Sequence, residues 1–212
     1  MEARFNDGLQ RALTKADMVT PDGMPLVWVM RFLGRTAQDR VAGMDIFTAV
    51  CKQSVQENVS IYLLGATQDV LDKVVAKLRV DFPTLNVAGF ESPPFRKWTF
   101  LEEEAIAERV NQSGAGITFV SLGCPKQECW MESNHGRVKS VMIGVGGVFP
   151  VYAGNKKHAP GWMRNNGLEW LYRLAQEPQR LFKRYFTTIP PFIWLAFQQI
   201  RQEQKRRGFL QN

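Results

Sequence analysis

Lys126, Gln127 and Glu128 follow Gly123-Cys124-Pro125 at the end of an apolar run from Gly116 to Leu122. A strand that ends in a glycine turn and opens a helix is how an open α/β sheet presents side chains and backbone N–H groups to a ligand at its carboxyl edge. That placement makes the three polar residues site candidates. A second apolar run, Val138 to Val145, leads into Gly144-Val145-Gly146-Gly147. Missing Cβ atoms there admit unusual φ values and the close approach of a ligand or a neighbouring backbone. Tight turning alone also accounts for such a cluster. Further on, Arg173, Arg180 and Arg184 are spaced seven and then four apart, which places them on one helical face if their helix is continuous. Glu177-Pro178 stands between the first and the second of them, so the shared face is conditional.

The elements that must carry these residues read as alternating strands and helices. Asn6 to Asp17 is expected to be a helix, with Phe5, Leu9 and Leu13 at four-residue spacing, and Met18-Val19 a short strand leading into the turn Thr20-Pro21-Asp22-Gly23. Met24 to Leu33 and Met44 to Gln56 read as helices. Ser60 to Leu64 is a buried strand ending in Gly65-Ala66-Thr67, and Gln68 to Phe82 an amphipathic helix. Asn86 to Phe90 is a strand, Glu91 to Phe95 a proline-stiffened loop and Glu102 to Ser113 a helix, ahead of the two strands above. This alternation predicts a doubly wound, mostly parallel, Rossmann-like α/β sheet. From Gly167 onward no strand pattern returns, which predicts a domain over residues 1–166 and a helical C-terminal appendage over 167–212.

The composition is that of a globular protein: 212 residues, 45% hydrophobic and 22% charged. Three cysteines, Cys51, Cys124 and Cys129, and no charged-then-apolar leader argue against a disulfide framework and secretion, and fit a reducing cytoplasm. With two histidines and no second cysteine pair, a zinc site is not expected. The net charge of +7 is concentrated in residues 164–212, which hold nine Lys/Arg against three Glu. Such a tail suits nucleic acid, anionic lipid or a phosphorylated substrate. Its Arg173, Arg180 and Arg184 alternate with Leu168, Leu171, Leu174, Leu181 and Phe182, and the apolar run Phe192-Ile193-Trp194-Leu195-Ala196-Phe197 is far short of a bilayer span. Trp and Phe beside Lys and Arg suit the membrane interface and argue against nucleic acid as the partner.

Several separated segments carry a family resemblance: LGCPKQECW, GVGGVF, the Ala153-Gly154 to Met163 stretch, GLEWLYRL with Glu177-Pro178 and Arg184-Tyr185, and upstream ADMVTPDGMPLVW and RVAGMDIF. In this order they resemble the WecG/TagA/CpsF family of glycosyltransferases over about Asn6 to Phe197. The resemblance implies transfer of an N-acetylhexosamine, of the N-acetylmannosamine type or its uronate, from a UDP-sugar to a polyprenyl-diphosphate-linked sugar. It implies inversion at the sugar carbon and no required metal or other cofactor. It also implies a place at the cytoplasmic face of the cell membrane, in polysaccharide or wall-polymer synthesis.

The chain lacks an Asp-x-Asp pair to hold a divalent cation between phosphates, which is consistent with that reading. The leaving UDP then needs cationic side chains and backbone N–H groups. The resemblance makes Asp22 the general base that single-step inversion requires, although Pro-Asp-Gly is also a common turn without catalytic meaning. It makes Arg40 an active-site arginine and Gln127 a residue that orients the donor. Gly65 and Thr67 then suit the nucleotide, and Phe95 matches an aromatic position able to stack on its base. Lys126 and Glu128 complete the substrate-binding set, with Arg173, Arg180 and Arg184 reaching the diphosphate.

Two departures qualify the resemblance. Members begin with a further strand and a polar loop before the helix that starts this chain, so that strand is expected to be absent here. Pro150 and His158 stand where Asp and Arg are common, which leaves uridine recognition open. Two other readings stand beside this one. A nonenzymatic nucleotide-binding, membrane-docking module is the main alternative. A dehydrogenase is disfavoured, since Phe149 stands where a dinucleotide fingerprint wants Gly or Ala. An exposed apolar tail would also favour self-association away from membranes.

Overall fold

The computed structural model describes residues 1–209, apart from the side chains of residues 180 and 207–209. A 3-10 turn at Glu2–Arg4 precedes helix α1 (Asp7–Lys15), which Asn6 caps by accepting the Leu9 amide at 2.9 Å. Helices α2 (Met24–Phe32) and α3 (Gly43–Gln56) lead to strand β1 (Ile61–Gly65). Strands and helices then alternate through α4 (Gln68–Asp81), β2 (Val87–Glu91), α5 (Phe100–Gln112), β3 (Ile117–Ser121), α6 (Lys126–Ser133) and β4 (Val141–Gly144). Helices α7 (Val148–Tyr152), α8 (Gly161–Asn165), α9 (Glu169–Gln176) and α10 (Pro178–Phe209) follow.

Every strand pairing is parallel, in the spatial order β2-β1-β3-β4. The strand order reverses at β1 and β3, so the carboxyl ends of these two strands flank the crevice where an open α/β sheet receives ligands. Ile61, Leu63 and Phe119 cluster with residues of α3, α4 and α7, while Tyr62, Leu64 and Val120 cluster with α5 and α6. Cover on both faces explains why the strands read as unbroken apolar runs. Phe47 is fully buried and meets Phe119, Tyr152 and Phe149 edge-on at 4.8, 5.1 and 5.9 Å. Burial of one such side chain contributes about 1.5–3 kcal/mol. In α4, Val70, Leu71, Val74, Val75 and Leu78 face inward, while Lys73 pairs with Asp69 and Lys77 with Asp81 on the wet side.

The doubly wound sheet agrees with the sequence expectation, and several boundaries move. Met18-Val19 forms no strand; the two residues have no ladder partner among the described residues and lie 80% and 59% exposed. The expected strand from Val138 to Val145 shrinks to Val141–Gly144. Asn111 explains the loss: its side chain donates to the Arg137 carbonyl and accepts the Lys139 amide, holding residues 137–139 off the ladder. The shared arginine face also fails, because α9 ends at Gln176 and α10 begins at Pro178. Proline suits a first helical position, where its missing N–H has no partner to lose. Pro190 and Pro191 lie inside α10, and just before them the Thr187 and Thr188 hydroxyls donate to the Lys183 and Arg184 carbonyls. Among the described residues no helix is long and apolar enough to cross a membrane.

Candidate active site

Asp22 and Arg40 meet beside the turn that follows β4. The Val41 amide donates to the Pro21 carbonyl at 3.1 Å, joining the Thr20–Gly23 turn to the loop before α3. Arg40 Nη1 then lies 3.3 Å from Asp22 Oδ1 and 3.4 Å from the Asp22 carbonyl, and Nη2 3.5 Å from Asp45 Oδ2. Asp45 is itself held by the Ala42 amide at 3.0 Å, as an acidic residue in the first turn of α3. Gly43 lets this corner close on the sheet, since a Cβ there would stand 2.8 Å from the Val145 carbonyl oxygen. On the other side of the β4 turn, Arg173 Nη2 lies 3.7 Å from where a Gly147 Cβ would be. The fold thus gathers Asp22, Arg40 and Arg173 around one glycine turn.

The Asp22 side chain is 67% exposed, so water reaches it. Burial against the surrounding wall, followed by the charge of Glu169, still raises its carboxyl above the ordinary value, while Arg40 and Arg173 oppose the rise and Asp45 adds to it. With such open access the wall desolvates one side of the carboxylate and does not seal it, so the neighbouring charges count. Burial lowers the His158 imidazole, helped by Arg164 and Arg40 and opposed by Glu169 and Asp45. His158 therefore belongs to the same charge network.

Beneath the turn, Gln127 is 6% exposed. Its Oε1 accepts the Gly146 amide at 3.0 Å and its Nε2 donates to Glu128 Oε1 at 2.9 Å. Ser121 Oγ donates to the Gly146 carbonyl, so a residue with φ of +59° is held at both ends of its backbone. Glu128 Oε2 is buried and has no hydrogen-bond partner. Cys124 sits at the same strand end, its thiol pushed up to about 11 by burial and by Glu128, while Arg184 counteracts. The Arg184 charge of α10 is thus felt at the β3 turn.

Lys126 points elsewhere. Its Nζ lies 3.7 Å from the Trp98 ring centroid and donates to the Arg96 carbonyl at 3.2 Å. Burial, the largest influence, lowers its pKa, with Glu103 opposing. Phe95 stands 79% exposed in the same loop. Gly65 adopts a φ of +114°, and a Cβ on it would fall 2.4 Å from the Ser121 carbonyl oxygen, so the close approach of β1 and β3 demands glycine. Thr67 begins α4 but its side chain makes no capping hydrogen bond. These residues line the β1 and β2 side of the carboxyl edge, apart from the Asp22 cluster. The Arg180 side chain lies outside the described residues.

Asp45 and Glu169 were missed by the sequence reading. Asp45 was readable as a first-turn acid of α3; Glu169, which comes within 3.9 Å of Arg40 Nη1, carries no local signal of that contact. Among the described residues no three His, Cys, Asp or Glu side chains form a group able to hold a metal ion.

A doubly wound parallel sheet whose carboxyl edge gathers a solvent-accessible carboxylate, guanidinium groups and glycine turns is an α/β scaffold for ligand-directed chemistry. The sequence model of the glycosyl transferase WecG/TagA/CpsF family matches residues 1–206, and the chain belongs to that family. It is 30% identical to an N-acetylglucosaminyldiphosphoundecaprenol N-acetyl-beta-D-mannosaminyltransferase of Bacillus spizizenii over 205 residues, 96% of this chain and 77% of the relative. A protein of the same name from Bacillus subtilis is 32% identical over 198 residues, 93% of this chain and 73% of that one.

Proposed function

We propose that the chain is an inverting glycosyltransferase that moves an N-acetylhexosamine, of the N-acetylmannosamine type or its uronate, from a UDP-sugar to a polyprenyl-diphosphate-linked sugar. The observation that carries this reading is the Asp22–Arg40 pair at the carboxyl edge, beside Arg173. Asp22 takes the proton of the acceptor hydroxyl as the hydroxyl oxygen bonds to the sugar C1 and the C1–O bond to UDP breaks, inverting the carbon. Arg40 holds the Asp22 turn in place. Arg173 and Arg184 take up charge on the diphosphates, and the turn at Gly65 and Thr67, with Phe95, receives the nucleotide. No step requires a divalent metal.

Residues 167–212 act as an appendage that closes on the body at residues 1–166 and meets the inner face of the cell membrane. Phe182, Phe186, Ile193, Trp194 and Phe197 of α10 are exposed beside Lys183, Arg184 and Arg201, the composition of an interfacial helix. Away from lipid the same face favours self-association.

UDP release from a panel of UDP-N-acetylhexosamines and uronates, with a polyprenyl-diphosphate-GlcNAc acceptor and a chelator present, tests the reading. Acceptor-dependent turnover that Asp22→Asn lowers by about 100-fold or more supports it. UDP binding without turnover by the intact chain would overturn it in favour of a binding module.

A further inference from the structure

Arg40 is one cation shared among three carboxylates delivered by three separate segments. Asp22 lies 3.3 Å from Nη1, Asp45 3.5 Å from Nη2 and Glu169 3.9 Å from Nη1. The Arg40 side chain is only 11% exposed, and Glu169 28%. Asp45 is already committed to the Ala42 amide. Asp22 and Glu169 therefore compete for one guanidinium nitrogen. At 3.3 Å the Asp22 contact is longer than the roughly 2.7–2.9 Å of a strong charge-assisted hydrogen bond. Asp22 is thus loosely held and open to water, whereas a firmly clamped carboxylate is a weak proton acceptor. Glu169 stands at the start of α9, one turn before Arg173, in the segment that follows Gly167.

We propose that Glu169 is a positioning residue: by sharing Arg40 with Asp22 it couples the seating of α9 to the base strength of Asp22. This rests on the reading of Asp22 as the general base. When α9 is seated, the Glu169 charge offsets that of Arg40 and leaves Asp22 the better base; without it, Asp22 faces the guanidinium with less to share it. The direction of the Asp22 shift agrees, since Glu169 is the largest influence on it after burial. The groups facing Asp22 are Arg40 from the loop before α3, Asp45 from α3, and Glu169 and Arg173 from α9. His158 and Arg164, from the stretch between α7 and α9, act on the same network. A base carried partly by a second segment is competent only when that segment is in place, which limits proton uptake until the site has closed.

The test compares the full chain with Glu169→Gln and Glu169→Asp. Two readouts are taken: the pH profile of kcat/KM, and the titration of the Asp22 carboxyl by 13C NMR of aspartate-labelled protein, assigned with Asp22→Asn. In Glu169→Gln the Asp22 midpoint and the acid limb of the profile should both fall by about one pH unit, and the plateau rate by about threefold to tenfold. Glu169→Asp should recover most of both. An unchanged Asp22 midpoint in a folded Glu169→Gln protein, with only KM raised, would overturn the coupling. The NMR titration needs no turnover, so it judges the coupling even if Asp22→Asn remains active, the outcome that would remove Asp22 as the base.

Discussion

The Gly146 amide donates to the buried Oε1 of Gln127 at 3.0 Å, and this single contact ties α6 to the turn after β4. Gln127→Leu fills similar space but leaves that N–H without its acceptor, a loss of about 1–3 kcal/mol for a buried donor. The turn also carries the wall next to Arg173, so turnover should fall further than stability alone explains. Gln127→Glu keeps an acceptor for Gly146 but buries a second carboxylate against Glu128 Oε1, so it should be no more stable than Gln127→Leu. Urea unfolding paired with UDP-release assays on the two variants checks both expectations.

Gly43 and Gly147 flank the same turn and should answer substitution differently. An alanine Cβ at Gly43 would stand 2.8 Å from the Val145 carbonyl oxygen and 3.1 Å from Val148 Cγ2. Backbone cannot rotate away as a side chain can, so Gly43→Ala should cost about 1–3 kcal/mol and lower activity by moving Asp45 and Arg40. At Gly147 the φ is −80° and the nearest atom to a new Cβ is Arg173 Nη2 at 3.7 Å, an ordinary contact. Gly147→Ala should therefore stay within about 0.5 kcal/mol of the parent in thermal unfolding.

What the sequence disclosed follows from how local each signal is. The strands were legible because Tyr62 to Leu64 and Phe119 to Val120 are buried from both sides, which leaves unbroken apolar runs. The trimmed start of β4 was not, because it depends on Asn111 reaching residues 137 and 139 from another helix. Asp22 and Arg40 were nominated by resemblance; their contact spans eighteen residues and depends on the Val41–Pro21 backbone bond. Gln127 was read as a residue turned towards the donor, and its burial and its bond to Gly146 emerge only when β3 and β4 pair. Lys126, its neighbour in sequence, faces Trp98, a division that a helical turn imposes and that a tripeptide cannot reveal.

Glu102 should leave a signature in acid. Its carboxylate accepts from both Arg96 nitrogens and from the Thr99 amide at the start of α5. The Arg96 hydrogen bond first, and the Thr99 amide next, hold its pKa down from 4.5 to about 2. A lowered carboxyl binds its proton more weakly in the folded state, so its contribution is present above pH 4.5 and is lost as the pH falls through about 2. Glu102→Gln should therefore be less stable than the parent at neutral pH, with the gap closing towards pH 2. Thermal unfolding across that range measures it. Because Arg96 also supplies the carbonyl that Lys126 bonds, the same substitution should loosen the loop that carries Phe95.

Cys124 reports whether α10 lies over the β3 turn, without any need for turnover. Its thiol is exposed yet pushed up to about 11, by burial first and then by the Glu128 carboxylate; Arg184 counteracts. Only the thiolate reacts, so at pH 8 about one molecule in a thousand is reactive and alkylation by iodoacetamide should be slow. Glu128→Gln removes a rise and should speed the reaction. Arg184→Ala removes the opposing charge and should slow it, an effect that exists only if the α10 guanidinium stays close to this strand end. Cys51 is fully buried and pushed up to about 12, and the Cys129 thiol is raised as well; peptide mapping by mass spectrometry assigns the modified thiol. Equal rates for Arg184→Ala and the parent would mean that α10 stands away from Cys124 in solution, and would remove Arg184 from the groups that take up diphosphate charge.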